Sequence, residues 1–229
     1  MKRASASRIG SAFALVVAFA CNIACAATPA LIDLRRIDAV QGDGEAGKAK
    51  AAVCSACHGP AGVSPIPTFP HLAGQPAEYL YWQLVEFKHD ARPDSPMTPQ
   101  VATLDAAAMR DLAAWFASQP APQATTTTAP VRGGELFRTG DPARGIPPCQ
   151  GCHGADGGGH PLAATDANYR VYPKLRAQHA GYIAQRLKDF RDGKHTTSSA
   201  DRIMSGVAHA LDDDSIAVLS QWLEAGAPR

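Results

Sequence analysis

The chain has 229 residues with 22 basic and 21 acidic side chains, a formal charge of +1. That length suits one large domain or two small ones, and the even charge gives no reason to invoke nucleic acid as a partner.

The first predicted element is an export signal. Met1-Lys2-Arg3 precedes an apolar run from Ala12 to Ala20 and the small-residue site Ala24-Cys25-Ala26, the three regions of a cleavable leader. Ser11 and Asn22 keep the clean run below the roughly 20 residues that span a bilayer. Neither Cys21 nor Cys25 has a leucine-like residue three positions before it, so a lipoprotein signal is not indicated. With residues 1–26 removed near Ala26, 19 basic and 21 acidic residues remain, for a net charge of −2. The remaining cysteines are Cys54, Cys57, Cys149 and Cys152.

The mature chain reads as two copies of one unit, residues 27–118 and 131–229. In the first copy "VCSACHG" precedes a helix with Leu80, Leu84 and Phe87 at i, i+4 and i+7, one apolar stripe. Met97 follows in a Pro-rich stretch, then Asp105 as a predicted N-cap for a helix carrying Met109, Leu112, Ala113 and Phe116. Residues 119–130 are rich in Pro, Thr and Ala without apolar periodicity, the composition of an extended linker. The second copy repeats the order: "PCQGCHG", an additional loop over 155–170, Ile183, Leu187 and Phe190, then Met204, Asp212 and a helix with Ile216, Leu219 and Leu223. Phe69 to Leu80 aligns with Tyr172 to Ile183 without a gap. Each unit of roughly 90 residues is all-helical with few large apolar side chains, a size at which a domain needs a staple such as a cofactor.

Cys-x-x-Cys serves zinc, dithiol and haem chemistry, and the adjacent histidine decides among them. A four-cysteine zinc site would have to span the linker, and no strand-rich thioredoxin pattern is present. Cys-x-x-Cys-His is the attachment site of c-type haem, in which two thioethers hold the porphyrin and the histidine ligates iron. Cys54, Cys57 and His58, then Cys149, Cys152 and His153, thus predict two covalent haem c groups. Met97 and Met204 stand at equivalent places and are the candidate second axial ligands; Met109 faces Ile216 in the alignment and reads as core. No other histidine recurs in both copies: His71 faces Lys174, and His179 faces Pro76. A thioether ligand raises the potential relative to a second imidazole.

Each Cys-x-x-Cys-His is followed by P-x-L-x-x-Q-x-x-x-Y and a later methionine: Pro70, Leu72, Gln75, Tyr79 and Met97, then Pro173, Leu175, Gln178, Tyr182 and Met204. From about Gly47 to Trp222 the sequence resembles the dihaem cytochromes of the c4 type. The resemblance implies an all-α fold of two tandem class I cytochrome c domains about a pseudo-twofold axis. It implies a periplasmic carrier in a respiratory chain, passing electrons from a quinol-oxidising complex or a dehydrogenase to a terminal oxidase, with at most peripheral membrane association. It further implies that the Pro70 and Pro173 carbonyls accept from the axial histidines, and that Gln75, Tyr79, Gln178 and Tyr182 lie near haem propionates. Lys88, Arg92, Arg186 and Arg191 are the candidate propionate counter-charges. The alternatives are a cytochrome subunit of a dehydrogenase complex, or a dihaem enzyme such as a peroxidase or thiosulfate dehydrogenase. Two available methionines weigh against an open peroxidase iron, and the absence of a spare cysteine weighs against cysteine ligation.

Overall fold

A computed structural model describes residues 31–35, 37–89, 92, 94–124 and 128–227. The export signal over 1–26 and linker residues 125–127 lie outside the described residues. Ten α-helices occur among the described residues, five in each half. The first half holds α1 (Gly44–Lys50), α2 (Ser55–His58), α3 (Ala77–Lys88), α4 (Met97–Val101) and α5 (Ala106–Ala117). The second holds α6 (Val131–Thr139), α7 (Gln150–His153), α8 (Ala180–Arg191), α9 (Ser199–Ala208) and α10 (Asp213–Glu224). Strand-like pairing among the described residues is limited to two isolated bridges.

The expected stripes and caps form α3, α5, α8 and α10. Asp105 accepts from the Ala108 N–H and Asp212 from the Ser215 N–H, each at 2.7 Å, satisfying donors a helix start leaves open. Two helices the apolar pattern does not reveal, α1 and α6, open the halves. Asp43 caps α1 through the Glu45 and Ala46 N–H groups. α1 crosses α5 and α6 crosses α10 at glycines: a Cβ on Gly47 would lie 2.0 Å from the Asp111 carbonyl oxygen, and one on Gly133 2.2 Å from that of Val218. Only glycine permits backbones this close.

Met97 and Met204 depart from expectation. The Pro- and Gly-rich surroundings predict loops, yet Met97 begins α4 and Met204 lies inside α9. A capping box starts α9: Ser198 accepts from the Asp201 N–H while the Asp201 carboxylate accepts from the Ser198 N–H, two orphan donors satisfied reciprocally.

The cores are unequal. Phe137, Ile146, Ile183, Ile216, Leu219, Trp222 and Leu223 pack in the second half, whereas the first rests on Ala51, Leu80, Leu112, Ala113 and Phe116. The halves meet through a mirrored pair of amides. Gln75 Nε2 donates to the Lys174 carbonyl at 2.7 Å and its Oε1 accepts from the Lys174 N–H at 2.9 Å. Gln178 does the same with His71, at 3.0 and 2.9 Å. His71 and Lys174 are equivalent positions of the repeat, so the pseudo-twofold relation is written into the hydrogen bonds.

Candidate haem sites

One helical turn builds each attachment motif. Cys54 is the N-cap of α2 and His58 its last residue; Cys149 and His153 bracket α7 in the same way. Cysteines at i and i+3 and a histidine at i+4 therefore share one face. Gly59 and Gly154, at φ of 78° and 82°, end the turn and release the chain.

Both histidines are buried. Nδ1 of His58 donates to the Pro70 carbonyl at 2.9 Å, and Nδ1 of His153 to the Pro173 carbonyl at 2.9 Å. Burial lowers the basicity of both rings against the opposing pull of those carbonyls. Each ring is thus neutral with its proton on Nδ1, leaving the Nε2 lone pair to a metal. Nε2 of His58 is buried and has no hydrogen-bond partner, a costly state for a polar atom unless a ligand completes it. The four cysteines are free. Burial raises the Cys54 and Cys152 thiols and pushes Cys149 up to about 11, conditions that disfavour thiolates and suit uncharged thioether sulfur.

Both motifs open into one continuous, mostly apolar cavity of about 700 Å³ that runs between the halves. Cys54, His58 and Met97 line it from the first half, and Cys149, Cys152, His153 and Met204 from the second. The cavity also holds buried side-chain nitrogens with no hydrogen-bond partner. Arg92 Nε and Arg186 Nη2 are buried without partners, as is Nε2 of His195, and all three residues line the cavity. An apolar slot with free guanidinium N–H groups fits a porphyrin and its carboxylates.

The other candidate cations are spent elsewhere. Lys88 Nζ donates to the Ala102 and Leu104 carbonyls at 3.0 and 2.6 Å, and Arg191 to the Leu211 carbonyl at 3.3 Å. They tie the chain ahead of the last helix in each half. Arg92 also donates to Glu86 Oε2 and Gln83 Oε1, both at 2.6 Å. Burial and nearby Asp201 raise the Glu86 carboxyl while Arg92 pulls it down. Gln75 and Gln178 line the cavity but commit their amides across the interface. Burial, and then the neighbouring Tyr182 hydroxyl, drives the Tyr79 hydroxyl well above the usual phenol range.

The fold and site define tandem class I cytochrome c domains. A family model described as cytochrome c matches residues 44–120 and 131–226. Cytochrome c4 of Thiocapsa roseopersicina is 44% identical over 186 residues, covering 80% of this chain and 92% of that protein. The thiosulfate dehydrogenase electron acceptor of Thiomonas intermedia is 34% identical over 182 residues, 77% and 79% of the two chains. Reduced recombinant cytochrome c4 from Pseudomonas stutzeri aligns with a TM-score of 0.70 at 39% identity, over 81% of this chain and 99% of that one. The chain belongs to the cytochrome c4 family: it is a dihaem electron carrier with two covalently bound haem c groups on its Cys-x-x-Cys-His motifs.

Proposed function

We propose that this cytochrome works in the periplasm after removal of residues 1–26, with domains at 27–118 and 131–229 joined by residues 119–130. His58 and Met97 hold one iron, His153 and Met204 the other. The carrying observation is that both histidines and both methionines line one apolar cavity, with the His58 Nε2 left for a ligand. When bound, the haem supplies one-electron Fe(III)/Fe(II) chemistry. The chain's part is to fix the imidazole tautomers through Pro70 and Pro173, exclude water with the apolar lining, and place Arg92 and Arg186 to balance charge. Gln75, Tyr79, Gln178 and Tyr182 hold the two sites in register across the interface.

The partners are an upstream quinol-oxidising complex or dehydrogenase and a downstream terminal oxidase. The relative named as a thiosulfate dehydrogenase electron acceptor supports a dehydrogenase as donor. In Met97→Ala or Met204→Ala, the methionine–iron absorption band near the red end should fall by about half, and one of the two potentials should drop. Spectra unchanged in both variants would refute the ligand assignment.

A further inference from the structure

Residues 31–35 lie ahead of α1 at the start of the first half but bind the second half in space. Ile32 forms a parallel bridge with Ser198: its N–H donates to the Thr197 carbonyl at 3.0 Å, and its carbonyl accepts from the Ser199 N–H at 2.8 Å. The Leu34 N–H donates to Ser199 Oγ at 2.9 Å. Leu34 is 4% exposed and lines the haem cavity. Burial alternates as an edge strand requires, with Leu31, Asp33 and Arg35 exposed and Ile32 and Leu34 turned inward. Arg170, at the end of the loop found only in the second copy, donates to the Ile37 carbonyl at 3.4 Å.

These contacts converge on the start of α9, whose Ser198–Asp201 capping box begins the helix that carries Met204. The first copy is arranged differently. Among the described residues, the start of α4 is held from within its own loop, by Ser95 under the Met97 N–H and by Thr98 on the Arg92 carbonyl. The two features that break the repeat's symmetry, the leading segment and the extra loop, thus meet each other and clamp one methionine helix only.

We propose that residues 31–35 form a strap that positions Met204 and seals the second haem crevice, making the iron–methionine bond of the second domain slower to open than that of the first. The inference rests on Met204 being the axial ligand. Opening the sulfur side of the second site requires α9 to move, and α9 cannot move far without breaking the Ile32 and Leu34 hydrogen bonds and exposing Leu34. A buried apolar residue with its backbone bonds resists local unfolding.

The test is displacement of methionine by added imidazole in the ferric holoprotein, followed by loss of the methionine–iron band. Wild type should give a slow phase and a fast phase, assigned with Met97→Ala and Met204→Ala. Ile32→Pro removes one strap donor and leaves the second domain untouched; Ser199→Ala removes the Leu34 acceptor; deletion of 31–35 removes the strap with the signal and attachment motifs intact. Each point variant should accelerate the Met204 phase by about fivefold, since one hydrogen bond's net worth is roughly that factor, and leave the Met97 phase unchanged. The deletion should accelerate it further. Equal change in both phases, or none, would overturn the strap. A wild type with the band from one centre only would overturn the ligand assignment as well, so the two failures are distinguishable.

Discussion

Arg92 and Arg186 come from non-equivalent positions of the repeat: Arg186 aligns with Gln83, and Arg92 falls in the stretch after Phe87 where the second copy is four residues longer. Each nevertheless reaches the same cavity with a buried acid beside it, Glu86 at 2.6 Å from Arg92 and Asp189 at 3.6 Å from Arg186. Breaking a buried pair strands its partner, so Arg92→Met should cost on the order of 3–5 kcal/mol in urea unfolding of the holoprotein, and Arg92→Met/Glu86→Gln should recover part of that. A loss within error for the single variant would mean the pair is not desolvated. Haem attachment was legible because its chemistry lies in five contiguous residues, and the methionines because they recur in the repeat. The arginines were not separable from Lys88 and Arg191, because pairing across the repeat misaligns them and only the folded chain shows that Lys88 and Arg191 are taken up by carbonyls.

The helices were legible where an apolar stripe faces a core and obscure where glycine replaces it. Leu80, Leu84 and Phe87 announce α3. In α1 the contact residue is Gly47, invisible to a hydrophobic pattern, although its backbone lies directly against that of α5. Gly47→Ala would drive a methyl into the α5 backbone, and overpacking of this kind costs about 1–3 kcal/mol or more. A Cβ on Gly44, three residues earlier in the same helix, would meet nothing within 4 Å, so Gly44→Ala should be neutral or stabilising by up to about 1 kcal/mol. Equal urea midpoints for the two variants would show that the crossing is looser than the backbone separation implies. The same contrast explains α9: its start is set by a cap, Ser198 with Asp201, that lies within a polar run easily read as loop.

Across the whole molecule, acid should loosen the joint between halves. His71 Nδ1 accepts the Ser64 N–H at 2.9 Å, which requires a neutral ring. Its ring lies 4.1 Å from that of His179. Burial, then His179, hold His71 down at about 4, against Glu224. The unfolded chain takes up this proton near 6.5, so it binds more protons than the folded one between about 6.5 and 4, and stability falls as pH drops through that window. His195, also held at about 4 by burial and by Arg186 and Arg92, adds to the slope. Urea midpoints measured from pH 7 to 4 should decline, and His71→Gln should flatten part of the decline; an unaltered slope would remove His71 from the account.

The exchange of amides between Gln75 and Lys174, and between Gln178 and His71, has the form of an isologous contact, in which one surface supplies both sides of the bond. Each domain therefore carries both sides of that amide exchange. Joining two such domains in one polypeptide adds no new chemistry to that exchange; it replaces a concentration-dependent encounter with a tethered one, so that two haems travel as a fixed pair however dilute the protein becomes.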